Sequence, residues 1–417
     1  MRENAPNTIT AGTSMSTITA LRTLRITERP NLLWVEIETD EGLTGLGETF
    51  RGAQAAEAVI HEQVAPYLLG RDARHIEAVS THLMSPYLGF HSASSEVRAA
   101  SAIDLALWDL AGQRQGVPVY MAMGGGVRDQ IRAYNTCAGY SYNSGGGRRA
   151  VQGGEQAAGP YDDQIAFMRD AGALAQSLVD EGYSAMKIWP FDIYAAATGG
   201  HMISLSDLKA GLEPFRKARD AVGDRIEIMC ELHSLWSLHA ATRICRALED
   251  YDVFWAEDPI GKMSDVSTLA DLRRQTRTPI CGSETLGGTQ PFRDLLAADA
   301  IDIVMLDLAW CGGLTEGRKI AALAQTYARP LAPHDCTGPV TLMAGLHLAM
   351  HAPTAIFQEV VRATLSTWYQ ELVTDLPVVK NGMVHAPTAP GLGMQLHPQV
   401  RQRPDLLTRT SGTPRQV

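Results

Sequence analysis

In the middle of this 417-residue chain an acidic residue or a histidine closes one short apolar run after another at a nearly constant interval. Glu231, Glu257, Glu284, Asp307, His334 and Glu359 stand 23 to 27 residues apart, at or near the ends of IEIMCE, VFWAED, PICGSE, IDIVMLD, PLAPHD and AIFQEV. Amphipathic stretches separate the runs. One of them carries Ile320, Leu323, Ala324 and Tyr327 at i, i+3, i+4 and i+7, the period of a helix with one buried face. Such an interval is the length of one strand-helix unit. With IRAYNTC and AMKIWP ahead of them the runs number eight. They predict a closed parallel (β/α)7β TIM-like barrel, with all six side chains at the carboxyl ends of its strands, the face on which barrels of this kind carry chemistry.

A barrel of this kind needs roughly 250 residues, so the chain holds a second domain. TITALRTLRI, LLWVEIETD and GLTGLGETF alternate apolar and polar residues and are broken at Arg29-Pro30-Asn31 and Asp40-Glu41-Gly42, which predicts a three-stranded meander. Helical periodicity follows, strongest where Ile103, Ala106, Leu107 and Leu110 share a face. The expected division is an α+β capping domain over 1–128, the barrel over 129–364, and a C-terminal segment over 365–417. In that segment VVKNGMVHAPTAPGLG returns to the first domain and the residues from Arg401 form a polar surface tail. The Gly/Ser-rich stretch from Ala138 to Pro160 follows the first barrel strand, as a mobile loop over the site or a tolerated insertion.

Composition removes several alternatives. A formal charge of −10 and the lack of a Lys/Arg stripe argue against nucleic acid. No apolar run reaches the roughly 20 residues of a membrane helix, and the first residues match neither a secretory signal nor a transit peptide, so a cytoplasmic protein is expected. Six cysteines without a CxxC pair argue against a zinc ribbon or a disulfide framework.

A single strand-end glutamate is more often paired with arginine or solvated than functional. Glu231, Glu257 and Glu284 on neighbouring strands are different, because three carboxylates in one pocket repel unless a cation neutralises them. Oxygen ligands without a Cys or His cluster favour Mg²⁺. Asp307 beside His334 is a carboxylate placed to hold an imidazole in one tautomer, as a general base requires. His233, two residues beyond Glu231, is expected by strand alternation to face the interior and reach whatever the metal binds. Lys187 and Trp189 stand in the same relation on AMKIWP: the lysine for a substrate carboxylate or forming oxyanion, the tryptophan as a pocket wall, unless they are a snorkelling lysine and a core tryptophan. Glu359, if protonated, could donate a hydrogen bond to that oxyanion. Loops near Arg29–Asn31, Phe50–Gly52 and Gly89–His91 are candidates for reading the distal end of a substrate.

AIDLALWDLAGQRQGVPVYMAMGG, GYSAMKIWP, FWAEDP, ICGSE, IVMLDLAWCGGLTEGRKIAALA, LAPHD and APGLG resemble the corresponding segments of the mandelate racemase and muconate lactonizing enzyme branch of the enolase superfamily, over about residues 17 to 395. The resemblance implies Mg²⁺ on Glu231, Glu257 and Glu284, abstraction of a proton α to a carboxylate by His334 with Asp307 as partner, and stabilisation of the enediolate by Glu359. Two departures narrow the reaction. Racemases of the branch usually carry Lys-x-Lys on the second strand, whereas this chain has Lys187-Ile188-Trp189. The third strand usually opens with Asp, whereas Glu231-Leu232-His233 stands here, and His233 resembles the added acid of some sugar-acid dehydratases in the group.

The implied reaction is Mg²⁺-dependent dehydration of a sugar acid, an aldonate or aldarate, to a 2-keto-3-deoxy acid. Racemisation, epimerisation or cycloisomerisation of a sugar acid through the same enediolate is the alternative, and a non-catalytic acid-sugar binding protein is the rival from another class. The partner expected is a small sugar acid, with no nucleic acid or membrane, and a homo-oligomer is expected.

Overall fold

A computed structural model describes residues 15–85, 94–140, 142 and 159–413. Strands β1 (Ile18–Ile26), β2 (Leu32–Thr39) and β3 (Thr44–Phe50) form the expected antiparallel meander, broken at the predicted turns. The helix Ser95–Gln115 lies against β3 so closely that a Cβ on Gly45 or Gly47 would fall 2.1 or 1.9 Å from a carbonyl oxygen of the helix. Its other side packs on the barrel helix Gly313–Thr326. It is therefore buried on most faces between Val97 and Leu110, including at Asp104 and Asp109, rather than along one apolar stripe.

The barrel strands are β4 (Gln130–Thr136), β5 (Ala185–Ile188), β6 (Glu227–Glu231), β7 (Ala256–Glu257), β8 (Ile280–Gly282), β9 (Ile303–Leu306), β10 (Leu331–Pro333) and β11 (Gln358–Val360). They pair in parallel from β4 to β10. β11 pairs with β4, and a parallel bridge between Leu331 and Ala355 closes the ring. A helix of nine or more residues follows each of the first seven strands, so the (β/α)7β barrel and α+β capping domain are the architecture observed. Tyr134, Trp255 and Phe357 fill the barrel interior beneath the strand ends, edge to face at centroid distances of 5.5 to 6.1 Å.

Two expectations for the C-terminal segment are corrected. VVKNGMVH does not return to the capping domain: it forms the hairpin of β12 (Val379–Lys380) and β13 (Met383–His385), and β13 pairs antiparallel with Gln130–Arg132 of β4. Those residues of β4 lie ahead of the stretch that pairs with β5 and β11, so backbone donors and acceptors were open there. The same stretch reaches the first domain further on, at Gly391 and Leu392, which hydrogen-bond Val117, Val119 and Asp109. Nor do the residues from Arg401 end as a surface tail. β14 (Leu406–Gly412) pairs antiparallel with β1 along its length, and its sequence hides this because most of its residues face solvent. The stretches Ala138–Pro160 and Gly89–His91 lie largely or wholly outside the described residues.

One buried histidine makes the join between the domains sensitive to acid. His347, on the helix Pro339–His351, accepts from the Tyr120 N–H at Nδ1 and donates from Nε2 to the Leu392 carbonyl, both at 3.2 Å, so it is neutral. Burial pushes it down from 6.5 to about 4. A group whose folded value lies below its unfolded value contributes stability above the unfolded value, and that contribution is lost as pH falls through the folded one. Between pH 6.5 and 4 His347 is thus expected to cost the fold about 3 kcal/mol, at about 1.4 kcal/mol per pKa unit. In His347→Gln the drop in thermal midpoint between pH 7 and pH 4.5 should shrink; an unchanged drop would remove the histidine from the account.

Candidate active site

The ends of five barrel strands, β5, β6, β8, β10 and β11, bring Lys187, Trp189, Glu231, His233, Glu284, His334 and Glu359 onto one pocket, roofed from the capping domain by Phe50 and Arg51. The Phe50–Gly52 loop therefore reaches the site as expected. Arg29 does not line it and lies over the Trp368 ring, 4.4 Å from its centroid.

Glu231, Glu257 and Glu284 end neighbouring strands, and one carboxylate oxygen of each lies within 4.8 Å of the others. All three are buried. Glu231 Oε2 has no hydrogen-bond partner among the described residues, its nearest cation being Lys187 Nζ at 3.7 Å. Burial, and then the charge of Glu257, push the Glu231 carboxyl well above its ordinary range. An orphaned oxygen in a crowded carboxylate set is what an oxygen-ligated divalent cation resolves, so these residues fit Mg²⁺.

On the far side of this set His334 makes two contacts. Its Nδ1 is 2.7 Å from Asp307 Oδ2 and its Nε2 is 2.9 Å from Glu284 Oε2. The other Asp307 oxygen accepts the Ala309 N–H at 2.7 Å, which fixes the carboxylate. Burial pushes His334 down, but the charges of Glu284 and Glu359 and the bond to Asp307 hold it well above its ordinary value. For Glu284 burial pushes up and His334 outweighs it, so the carboxyl lies well below its usual range. Trp310 stacks on His334 with ring centroids 5.7 Å apart, a wall that strand periodicity could not reveal.

Lys187 Nζ sits 2.5 Å from Glu257 Oε1 and 3.0 Å from Glu359 Oε1. Glu359 also accepts from the Asp335 N–H at 2.8 Å and from the Thr136 hydroxyl. Burial pushes its carboxyl up, but Lys187 and His334 more than offset this and hold it below the ordinary value. In this arrangement Glu359 accepts from three groups, Lys187, the Asp335 N–H and the Thr136 hydroxyl.

His233 reaches the pocket by a route that alternation does not describe. β6 ends at Glu231, and His233 and Ser234 take left-handed backbone, with φ of 52° and 56°. The ring meets Trp189 at 74° with centroids 5.5 Å apart, and Trp189 lines the pocket. His233 Nδ1 lies 2.7 Å from Asp192 Oδ2. Asp192 begins a short helix after β5 and was missed, because it lies outside the strand-end period.

This geometry can be set beside known proteins. Residues 13–124 match the family described as mandelate racemase / muconate lactonizing enzyme, N-terminal domain, and residues 170–400 match the enolase C-terminal domain-like family. The chain belongs to the mandelate racemase / muconate lactonizing enzyme family. Among its relatives in that family are a D-xylonate dehydratase of Haloferax volcanii, 30% identical over 91% of this chain and 86% of that protein, and a D-galactonate dehydratase of Ralstonia nicotianae, 32% identical over 91% and 92%. The fold superimposes on the crystal structure of an enolase protein from Sargasso Sea environmental sequencing with a TM-score of 0.87, at 62% identity over 96% of this chain and 100% of that one. An enolase of the mandelate racemase subgroup from Agrobacterium tumefaciens gives 0.85 at 47% identity, over 95% and 99%. Among the described residues no helix is long and apolar enough to cross a membrane.

Proposed function

We propose that this chain dehydrates a sugar acid, an aldonate or aldarate, to a 2-keto-3-deoxy acid, with Mg²⁺ held by Glu231, Glu257 and Glu284. The observation that carries this is a pair of histidine-carboxylate couples on opposite sides of one pocket. His334 follows the seventh strand, with Asp307 after the sixth; His233 follows the third, with Asp192 after the second; the two histidines stand four positions apart in a ring of eight. A base and an acid so opposed suit loss of a proton and a hydroxide from adjacent carbons. The dehydratase relatives support the same reaction class.

Bound Mg²⁺ would neutralise the substrate carboxylate and the second negative charge that α-proton loss builds on it. Glu284, if it held the cation, would share its charge and would no longer hold a proton on His334 Nε2. His334 then takes the α-proton, while Asp307 fixes the tautomer and balances the imidazolium. Lys187, oriented by Glu359 and Glu257, faces the charge that develops on the carboxylate. His233, oriented by Asp192, gives its proton to the departing β-hydroxyl, and Trp189 walls that side of the pocket. The enol released tautomerises to the keto acid. Epimerisation remains the second reading, because a histidine opposite His334 is also placed to return a proton to the other face of the α-carbon.

Sugar acids incubated with the Mg²⁺-loaded protein should yield keto acid, and chelation should stop its formation. The metal set is tested separately by thermal shift. Saturating Mg²⁺ at about 100 times its Kd should stabilise the protein by about 2.7 kcal/mol, and Glu257→Gln should lose most of that shift along with activity. Full turnover after chelation, or an unchanged shift in Glu257→Gln, would overturn the metal assignment.

A further inference from the structure

The helices that follow the Asp307 and His334 strands lack an N-terminal cap of their own. Helix Gly313–Thr326 has Gly312 at its N-cap and helix Pro339–His351 has Gly338, so neither has a side chain there to accept from its first turn. In both cases a buried carboxylate of the capping domain takes that place. Asp104, on the helix Ser95–Gln115, accepts the Thr315 N–H at 2.9 Å. Glu48, on β3, accepts the Thr341 N–H and hydroxyl, both at 2.9 Å, while its other oxygen accepts from Trp34 Nε1 at 2.8 Å. Thr315 and Thr341 are each the third residue of their helix, the position whose N–H an ordinary N-cap side chain would bond.

The glycines make this possible. A Cβ on Gly338 would fall 2.2 Å from Glu48 Oε1, and one on Gly313 would fall 2.4 Å from Asp104 Oδ2. A side chain at either position would push the foreign carboxylate away. Between the two helix starts, Thr49 donates to the Ala309 carbonyl and Trp310 Nε1 donates to the Phe50 carbonyl, both at 2.8 Å. Residues 48–50 of β3 thus grip both the loop after Asp307 and the start of the helix after His334.

We propose that Glu48 and Asp104 are positioning residues for the His334–Asp307 pair: by capping the two helices from the other domain, they set the distance and angle between base and partner. This rests on the proton-abstracting role given to His334 above. Neither carboxylate touches substrate or the glutamate set. Their loss should therefore lower kcat and leave KM and the Mg²⁺-induced thermal shift nearly unchanged. A misplacement of about 1 Å can cost about 10²-fold in rate, which sets the size of effect sought.

The test compares Glu48→Ala, Glu48→Gln and the double variant Glu48→Ala, Gly338→Ser. Gly338 has φ −169° and ψ 163°, extended backbone open to serine, and removal of the Glu48 carboxylate clears room for its Cβ. The serine caps the helix from within and so restores stability without restoring the link between the domains. Glu48→Ala is expected to lower kcat and α-proton exchange about 10²-fold together with the thermal midpoint. Glu48→Gln should keep more of the rate, because its carbonyl oxygen still accepts from Thr341. The double variant should recover the midpoint but not kcat. Recovery of both together would show that Glu48 serves helix stability alone, and parental kcat in a folded Glu48→Ala would likewise overturn the proposal. If Glu48→Ala does not fold, the double variant decides by the same comparison. His334→Asn run alongside separates the two claims: exchange at the parental rate in that variant removes the proposed role of His334, whereas its loss there with parental kcat in the Glu48 variants removes only the positioning role.

Discussion

Replacing His334 with asparagine is expected to slow exchange of the substrate α-proton with solvent deuterium by about 10⁴-fold, the upper end for losing a positioned proton-transfer group. The size follows from what else surrounds the site. In the proposed site Glu257 and Glu284 serve the metal and Lys187 is held by Glu257 and Glu359, so among the described residues no other base stands where His334 Nε2 does. An asparagine keeps a polar group of similar reach and leaves Glu231, Glu257 and Glu284 in place, so the Mg²⁺-induced thermal shift should persist and report an intact fold. Asp307→Asn should impair exchange less. Both Asp307 oxygens act as acceptors, from His334 Nδ1 and the Ala309 N–H, and an amide must turn a donor toward one of them. Exchange at the parental rate in His334→Asn would transfer the role of base to Lys187.

How much of this site could be read from the sequence depended on whether a residue obeys the strand-end period. Glu231, Glu257, Glu284, Asp307 and His334 do obey it, because each barrel unit must repeat a strand and a helix of similar length, and the structure brings them together. Asp192 does not, since it opens a short extra helix between β5 and the main helix of that unit, a segment that, among the described residues, no other unit repeats at that place. His233 was found for an incomplete reason. Alternation holds only while the chain is a strand, and the left-handed turn at His233 and Ser234 is what aims the ring. Trp310, which bonds the Phe50 carbonyl, and the capping carboxylates belong to contacts between domains distant in sequence, which no local pattern encodes.

The C-terminal segment failed for a related reason. β14 is an edge strand with most of its residues in solvent, so it lacks the buried alternate positions that mark a strand, and its place is set by the open backbone of β1. The β12–β13 hairpin likewise exists because β4 extends beyond its barrel partners.

In the proposed reaction His233 carries the step that makes it a dehydration. Expelling hydroxide from an enediolate requires a proton at the leaving oxygen, and a histidine can carry that proton at neutral pH. Asp192, 2.7 Å from Nδ1, fixes which ring nitrogen faces the pocket. Removing this imidazole leaves the base, its partner and the metal ligands untouched, so the first half of the reaction should continue. The direct measurement is to incubate His233→Asn and the parent with substrate in deuterated buffer, following α-deuterium in recovered substrate and keto acid in the same sample. The expected result is continued wash-in of deuterium with keto-acid formation reduced by roughly 10²- to 10⁴-fold; undiminished keto acid from the variant, or a parent that interconverts epimers and releases none, would contradict it.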